Sequence, residues 1–347
     1  MSTMSRVVSK QPRATKSLRI RLTLDFDGTL TKRDTMHVVA EAGYARQRRF
    51  QRDPPPRPWS EIVDAYISDF KAHAEAYRPR TADRHTYEQE LAWLNSLRTI
   101  ENASINRAVK AGIFDNLSTM DMATAADKAL NDGQVRFRDG WAKLIMFVGE
   151  HNTHVELSDP QDRPVQVISV NWSASFVRAI LQGCLEREPS PEQKLSWWKD
   201  IPVHANELPA VNETDFLGKS SSQIPAEQQH RKSIRTSGDK VEMLNSIYNN
   251  TQAGKDYILI FVGDSSTDLE SLLAADTGIC IRDEPMGSGQ KELAATCKRL
   301  GIKVLHISEQ KVTCSPSSNK QSHGLFWVRD FSEIHEWLER TLSVPSI

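Results

Sequence analysis

The sequence of 347 residues has few cysteines, no long apolar run and no excess of either charge. Its four cysteines show no CxxC spacing, and a chain of this length needs no disulfide bonds to fold, so we expect reduced thiols in a cytosolic protein. The longest apolar run, from Tyr257 to Val262, is far too short to cross a bilayer. With 44 basic and 45 acidic residues, the chain gives no reason to expect nucleic acid or a membrane surface as a partner.

The N-terminal segment is basic and has no acidic residue before Asp25. Mitochondrial transit peptides share this composition, so a mitochondrial location is the alternative to a cytoplasmic one. However, the first strand is expected to begin near Leu18, which leaves only a short segment to act as a presequence. We therefore interpret residues 1–17 as a disordered basic tail.

Two regions of different pattern follow. Residues 33–136 are polar and mostly helical in pattern; for example, "WSEIVDAYISDF" places Trp59, Ile62 and Tyr66 on one helical face, and "RDPPPRP" reads as a rigid connector. After this region, apolar runs typical of buried strands alternate with amphipathic helices, and a polar hairpin is expected around Gly218.

This alternation predicts an α/β fold: a Rossmann-like, mainly parallel sheet with helices on both faces. The first strand, over 19–26, is separated from the other strands by the helical region. One core domain with an insertion explains this order better than two independent domains. We thus expect an α/β core over 18–32 and 137–347 and an inserted, mostly α-helical cap domain over 33–136.

Polar residues follow three of the predicted strands. Asp25 and Asp27 end the first, Ser169 follows "VQVI", and Asp264 follows "YILIFV", with Asp268 at the start of the next helix. Ligands bind outside the carboxyl ends of the strands of an open parallel sheet. Because the spacing i, i+2 puts two side chains on the same side of a strand, we expect Asp25 and Asp27 to lie close together.

A group of carboxylates at one edge favours a hard cation, most plausibly Mg²⁺, which also binds phosphate. Lys240 opens a predicted helix, and Ser173 is expected to cap another; helix N-termini bind anions. These features together indicate a phosphate site. The alternatives are that Asp264 and Asp268 are ordinary helix caps and that Lys240 is a solvated surface residue.

The sequence resembles the haloacid dehalogenase-like superfamily in four ordered motifs: "DFDGTLT" (25–31), Ser169, Lys240 and "GDSSTD" (263–268). The resemblance implies that Asp25 is the nucleophile and Asp27 the general acid/base, and that Asp268 supports a Mg²⁺ site. Its implied Mg²⁺ ligands are Asp25, the Asp27 carbonyl and Asp264. The residues that it implies for phosphate binding are Gly28, Thr29, Ser169, Val170, Asn171 and Lys240.

An insertion directly after the first motif is similar to the helical cap of the phosphoserine-phosphatase-like branch, as is "HANEL" before a hairpin. The sequence departs from that branch at "SVNWS", where Asn171 and Trp172 replace the usual glycines. Their side chains are expected to crowd backbone amides that otherwise approach the phosphate.

The resemblance predicts a Mg²⁺-dependent phosphomonoester hydrolase that forms an aspartyl-phosphate intermediate. The size of the cap favours a small phosphorylated metabolite, and "GDSSTDLESLLAADTGI" is similar to plant and fungal relatives that act on thiamine monophosphate. The alternatives are a non-catalytic scaffold with this fold and a dehalogenase. A halide leaving group needs no proton, so Asp27 argues against the dehalogenase. The sequence does not predict the oligomeric state.

Overall fold

The computed structural model describes residues 19–152, 163–188, 200–208, 233–248, 257–310 and 324–342. The tail predicted over 1–17, the hairpin predicted around Gly218 and Cys314 lie outside the described residues. The other three cysteines are free thiols, as expected.

The described residues form a seven-stranded sheet, and all neighbouring strands in it are parallel. The strand order is β3-β2-β1-β4-β5-β7-β6. The predicted α/β fold with a mainly parallel sheet is therefore confirmed. The strands are β1 Arg19–Leu24, β2 Val165–Ile168, β3 Val203–His204, β4 Tyr257–Gly263, β5 Thr277–Ile281, β6 Val304–His306 and β7 Leu325–Val328.

Eleven helices of the described residues surround or extend this sheet. Those between β1 and β2 are α1 Met36–Arg49, α2 Trp59–Ala76, α3 Tyr87–Ser96, α4 Arg98–Lys110, α5 Thr119–Asn131 and α6 Trp141–His151. The others are α7 Ala174–Arg187, α8 Ser237–Tyr248, α9 Leu269–Ala274, α10 Ser288–Arg299 and α11 Phe331–Leu342. None of these described helices is both long and apolar enough to cross a bilayer.

Two hydrophobic cores lie on opposite faces of the sheet, because side chains alternate along each strand. In β4, Ile260 and Val262 belong to one core, which includes residues of α6, α7 and α11. Leu259 and Phe261 belong to the other, which includes residues of α8, α9 and α10. The prediction of helices on both faces is thus confirmed.

Five helices, α1 to α5, lie in the region predicted as the cap. Its two ends meet beside β1: Thr31 and Phe137 form an antiparallel bridge, and Lys32 N donates to Arg136 O at 2.9 Å. The insertion therefore leaves and re-enters the core at one place. Its separation from the core as a domain stays a prediction.

Three elements differ from the sequence analysis. The first strand ends at Leu24 rather than at residue 26, because the chain turns at Gly28, whose φ is +75°. The helix expected over "TDLESLLAAD" begins as a single 3₁₀ turn, Ser266–Asp268, before α9. The strand β7 and the helix α11 were not predicted, and β7 separates β5 from β6.

Candidate active site

Three carboxylates from two neighbouring strand ends meet at the carboxyl edge of the sheet. Asp25 follows β1 and its backbone N–H donates to Val262 O of β4 at 2.9 Å. Asp264 follows β4, and Asp268 lies at the end of the next turn. One oxygen of each carboxylate lies within 4.8 Å of the others, and all three side chains are buried.

Lys240 of α8 is fully buried among these carboxylates. Its Nζ donates to Asp25 Oδ1 and to Asp268 Oδ1, both at 2.7 Å. Burial alone would lower the pKa of Lys240, but the charges of Asp25 and Asp268 outweigh burial and raise it. Lys240 is thus a charged residue inside the site, not a solvated surface residue.

One ammonium does not balance three buried carboxylates. Burial, and then the charge of Asp268, raise the pKa of Asp25 well above its ordinary value. The same two causes raise the pKa of Asp264 to about 7. A divalent cation would remove this excess of negative charge, and a set of carboxylate oxygens is the donor set that Mg²⁺ prefers. The residues present therefore fit a Mg²⁺ ion.

Asp27 has different neighbours from Asp25. Its Oδ1 accepts hydrogen bonds from Thr35 N at 2.8 Å and Thr35 Oγ1 at 2.6 Å, and its Oδ2 accepts one from Asn171 Nδ2 at 2.7 Å. The spacing argument for two carboxylates on one side of a strand does not apply, since β1 ends before both residues. Burial and the charge of Asp34 raise the pKa of Asp27 to about 6.

The turn after Asp27 fits closely against Asp264. A Cβ at Gly28 would lie 2.5 Å from Asp264 Oδ2, so this position requires glycine both for its positive φ and for space. Thr29 Oγ1 donates to Asp264 Oδ1 at 3.2 Å. The first motif and Asp264 are therefore in direct contact.

The loop after β2 carries the second motif. Ser169 is fully buried, and its Oγ accepts a hydrogen bond from Asn171 N at 3.1 Å. The side chain of Asn171 turns to Asp27, and Trp172 packs edge-on against Trp59 and Phe114 at centroid distances of 5.9 and 6.4 Å. Both side chains are thus held by other groups, and their expected crowding of the backbone amides stays a prediction.

The start of α7 and the neighbouring loop are fixed by further polar contacts. Ser173 caps α7 as predicted, accepting from Phe176 N at 3.2 Å. Asn206 Nδ2 donates to Val170 O and to Ile234 O, at 3.0 and 2.8 Å. Asn206 therefore joins the loop of the second motif to the segment that leads into α8.

Arg138 is a site residue that the sequence reasoning missed. It is buried, its Nε donates to Thr29 O at 3.0 Å, and its Nη2 donates to Gly28 O at 2.7 Å. Its guanidinium also pairs with Asp283. Arg138 thus fixes the turn of the first motif. A single arginine outside any motif offers no signal in the sequence.

Comparisons with known proteins give distant relatives. No family model matches the chain. The chain is 28% identical to a CTO1 family protein of Schizosaccharomyces pombe over 82% of this chain and 88% of the relative. It is 24% identical to Cold tolerance protein 1 of Saccharomyces cerevisiae, over 84% and 88%. It is 22% identical to the mitochondrial bifunctional TH2 protein of Arabidopsis thaliana over 90% of this chain but only 48% of that protein.

Solved structures that match the chain include hydrolases of the superfamily that the motifs resemble. A phospho-aspartyl intermediate analogue of phosphoserine phosphatase matches at a TM-score of 0.36 and 15% identity, over 76% of this chain and 87% of that chain. A HAD family hydrolase of Salmonella enterica matches at 0.37 and 11%, over 77% and 65%. At TM-scores this low, neither match assigns an activity to this chain.

Proposed function

We propose that the protein is a Mg²⁺-dependent phosphomonoester hydrolase of the haloacid dehalogenase-like type that forms an aspartyl-phosphate intermediate. The observation that carries this proposal is the ion-pair arrangement at Lys240. Residues from three separate parts of the chain, Asp25, Lys240 and Asp268, meet in one buried group at the carboxyl edge of the sheet, with Asp264 beside them. All four ordered motifs of the sequence contribute residues to this carboxyl edge of the sheet.

Asp25 is the proposed nucleophile. Its Oδ1 accepts the hydrogen bond from Lys240, whereas among the described residues its Oδ2 accepts only a long hydrogen bond of 3.5 Å from Thr29 Oγ1. Oδ2 is therefore the oxygen available for attack on phosphorus. The charge of Lys240 favours the ionised carboxylate that a nucleophile requires.

The proposed ligands of Mg²⁺ are the carboxylates of Asp25 and Asp264 and the backbone carbonyl of Asp27. When bound, Mg²⁺ would neutralise these carboxylates and the phosphate dianion. Asp268 supports this group from the side, since it pairs with Lys240 and also accepts hydrogen bonds from Asp264 N and Ser265 N, both at 3.1 Å.

Asp27 is the proposed general acid and base. When Asp25 attacks phosphorus, the bond from phosphorus to the leaving oxygen breaks, and Asp27 gives its proton to that oxygen. Asp27 then takes a proton from the water that attacks the aspartyl-phosphate, the bond from phosphorus to Asp25 breaks, and phosphate leaves. Thr35 and Asn171 hold the Asp27 carboxyl in place during both steps.

Ser169, Lys240 and the backbone amides of Val170 and Asn171 are the proposed partners of the phosphoryl oxygens. Hydrogen-bond donors placed around a transferring phosphoryl group stabilise the charge of its transition state. Gly28 and Thr29 shape the opposite side of the site through their contacts with Asp264.

The proposed substrate class is a small phosphorylated metabolite. Trp172 of the second motif packs against Trp59 and Phe114, both of the region predicted as the cap, which favours a covered site over one open to a phosphoprotein. A panel of phosphorylated metabolites, including thiamine monophosphate, tests the proposal by release of inorganic phosphate with and without Mg²⁺. Release of phosphate from none of them by the purified protein would contradict the proposed activity.

A further inference from the structure

Asn206 lies just after β3, in the stretch "HANEL", and the proposed reaction gives it no role. The residue is only 7% exposed, and its side chain lies between two backbone segments of the proposed site. One is the loop of the second motif, and the other is the segment that leads into α8. A side-chain amide suits such a place, because it carries two N–H donors and an acceptor at one planar end.

Asn206 fixes the peptide groups on both sides of Asn171. Its Nδ2 lies 3.0 Å from Val170 O and 3.0 Å from Asn171 O, and its backbone N–H donates to Asn171 O at 3.2 Å. The C=O and N–H of a trans peptide point in opposite directions. With Val170 O held by Asn206, the N–H of Asn171 faces the other way. There it donates to Ser169 Oγ at 3.1 Å.

The same side chain fixes the segment that precedes Lys240. Asn206 Oδ1 accepts from Ile234 N, and Asn206 Nδ2 donates to Ile234 O, both at 2.8 Å. Two residues further on, Thr236 N and Oγ1 donate to Asp239 Oδ2, both at 3.0 Å, and Lys240 N donates to Thr236 O at 3.2 Å. Lys240, in the first turn of α8, therefore continues a backbone that Asn206 holds in place.

We propose that Asn206 is a positioning residue of the phosphate site. It holds the loop of the second motif against the start of α8, so that Ser169, the N–H of Asn171 and Lys240 converge on one phosphoryl group. The same loop carries the side chain of Asn171, which donates to Asp27 Oδ2 at 2.7 Å. This inference rests on the proposed phosphatase activity and adds a residue that acts on the phosphate only through its neighbours.

Asn152 offers a matched control. It is also buried, and its side chain also holds backbone: its Oδ1 accepts from Ile20 N at 3.2 Å, and its Nδ2 donates to Ile20 O at 3.1 Å and to Val148 O. Ile20 lies near the amino end of β1, whereas the proposed site lies at the carboxyl end. Asn206→Ala and Asn152→Ala together therefore separate a loss of stability from a loss of phosphate binding.

Three properties are measured for the wild type and both variants. They are the free energy of unfolding in urea, kcat/KM for nitrophenyl phosphate with Mg²⁺, and the affinities for inorganic phosphate and orthovanadate by titration calorimetry. Vanadate adopts the five-coordinate geometry of a transferring phosphoryl group, and analogues of a transition state bind more tightly than ground-state ligands. Asn206→Ser and Asn152→Ser repeat the comparison with a hydroxyl that can still donate one hydrogen bond.

Both alanine variants are expected to be less stable than the wild type, because each leaves buried backbone groups without a partner. Only Asn206→Ala is expected to lower kcat/KM, by about tenfold, since it displaces donors to the phosphoryl group without removing one. It is also expected to weaken the binding of vanadate more than that of phosphate. Asn152→Ala is expected to bind both anions as the wild type does.

Equal kcat/KM and equal vanadate affinity in Asn206→Ala and Asn152→Ala would overturn the inference and leave the proposed activity intact. Unfolding of both the alanine and the serine variant of Asn206 would also overturn it, because Asn206 would then be required for the fold rather than for the site. If the wild type neither hydrolyses any of the esters nor binds phosphate, the proposed activity itself fails, and this inference with it.

Discussion

Lys240 Nζ lies 2.7 Å from Asp25 Oδ1, although the two residues are far apart in the sequence. Both side chains are buried, and the same Nζ lies 2.7 Å from Asp268 Oδ1. This pair joins the first motif to the helix that follows the insertion and the second strand. We therefore expect the Lys240–Asp25 ion pair to affect both the stability of the fold and the proposed reaction.

Lys240→Gln is expected to destabilise the protein and to abolish turnover. The substitution removes the only cation that contacts Asp25 and Asp268 in the described structure and leaves their charges buried. Breaking a buried ion pair by removing one partner costs about 3–5 kcal/mol. Urea unfolding at neutral pH measures this loss. Lys128→Gln, at an exposed ion pair of α5, is the control and should change the free energy of unfolding by less than about 1 kcal/mol.

A smaller loss than that of the control would mean that Lys240 is not charged in the folded protein. The destabilisation is also expected to shrink as the pH falls, because the raised pKa values of Asp25 and Asp264 let these carboxyls accept protons once Lys240 is gone.

Asp25→Asn is expected to abolish turnover and to leave the fold intact. An amide has the shape of the carboxyl group but is a very poor nucleophile, and its oxygen can still accept the hydrogen bond from Lys240. Phosphate release and thermal unfolding are measured in parallel, with Asp127→Asn at an exposed ion pair as the control. Near-normal turnover by Asp25→Asn would rule out the covalent mechanism.

The sequence indicated which residues form the candidate site, but it did not indicate the detailed geometry of that site. The aspartates after β1 and β4 and the lysine of α8 were predicted from strand ends and motif order, and the structure brings them together. The position of Asp27 was not predicted well, because its surroundings depend on the turn at Gly28 and on contacts with Thr35 and Asn171. Such contacts between distant residues leave no periodic pattern.

Residue patterns predicted the central strands of the sheet but not β7, which lies next to the edge strand β6. Buried parallel strands are apolar runs, as in Tyr257–Gly263, and such runs are visible in the sequence. The strand β7 has only four residues, two of them partly exposed, and its place between β5 and β6 reverses the order of the chain. Residue patterns therefore predict neither the length of β7 nor the strands next to it.

Removal of divalent metal is expected to silence the protein and to lower its melting temperature. Asp25, Asp264 and Asp268 repel one another in a buried place, and after chelation by EDTA Lys240 is the only cation of the described residues that forms an ion pair with any of them. Mg²⁺ is expected to restore both properties. Ca²⁺ is expected to restore the melting temperature but to inhibit turnover, because its larger and more flexible coordination shell misplaces the nucleophile.

Asp264→Asn serves as the matched variant for this prediction. It keeps an oxygen for Thr29 Oγ1 but weakens the metal site, so its melting temperature should respond less to Mg²⁺ than that of the wild type. Full turnover of the wild type in chelator would refute the proposed metal site, whatever the variant does.

Asp27→Asn separates acid–base catalysis from support of the structure. An alkyl phosphate leaves as a strongly basic alkoxide and needs a proton, whereas a nitrophenyl phosphate leaves as a stable phenolate and hardly needs one. We expect a loss on the order of 10²–10⁴-fold for alkyl esters and a clearly smaller loss for the aryl ester in the bond-breaking step. Breakdown of the aspartyl-phosphate also uses Asp27 as base, so single-turnover measurements must resolve the two steps.

Thr35→Val is the companion variant, because it removes the hydroxyl that donates to Asp27 Oδ1 and leaves the carboxyl group itself in place. If Asp27 transfers the proton, the rate of the first step in Asp27→Asn should depend more strongly on the leaving group than in the wild type. In Thr35→Val, this rate should depend on the leaving group nearly as it does in the wild type. An equal loss on alkyl and aryl esters in Asp27→Asn would instead assign Asp27 to the structure or to the metal site. The hydrogen bonds of Thr35 and Asn171 would then fix the first motif rather than a catalytic acid.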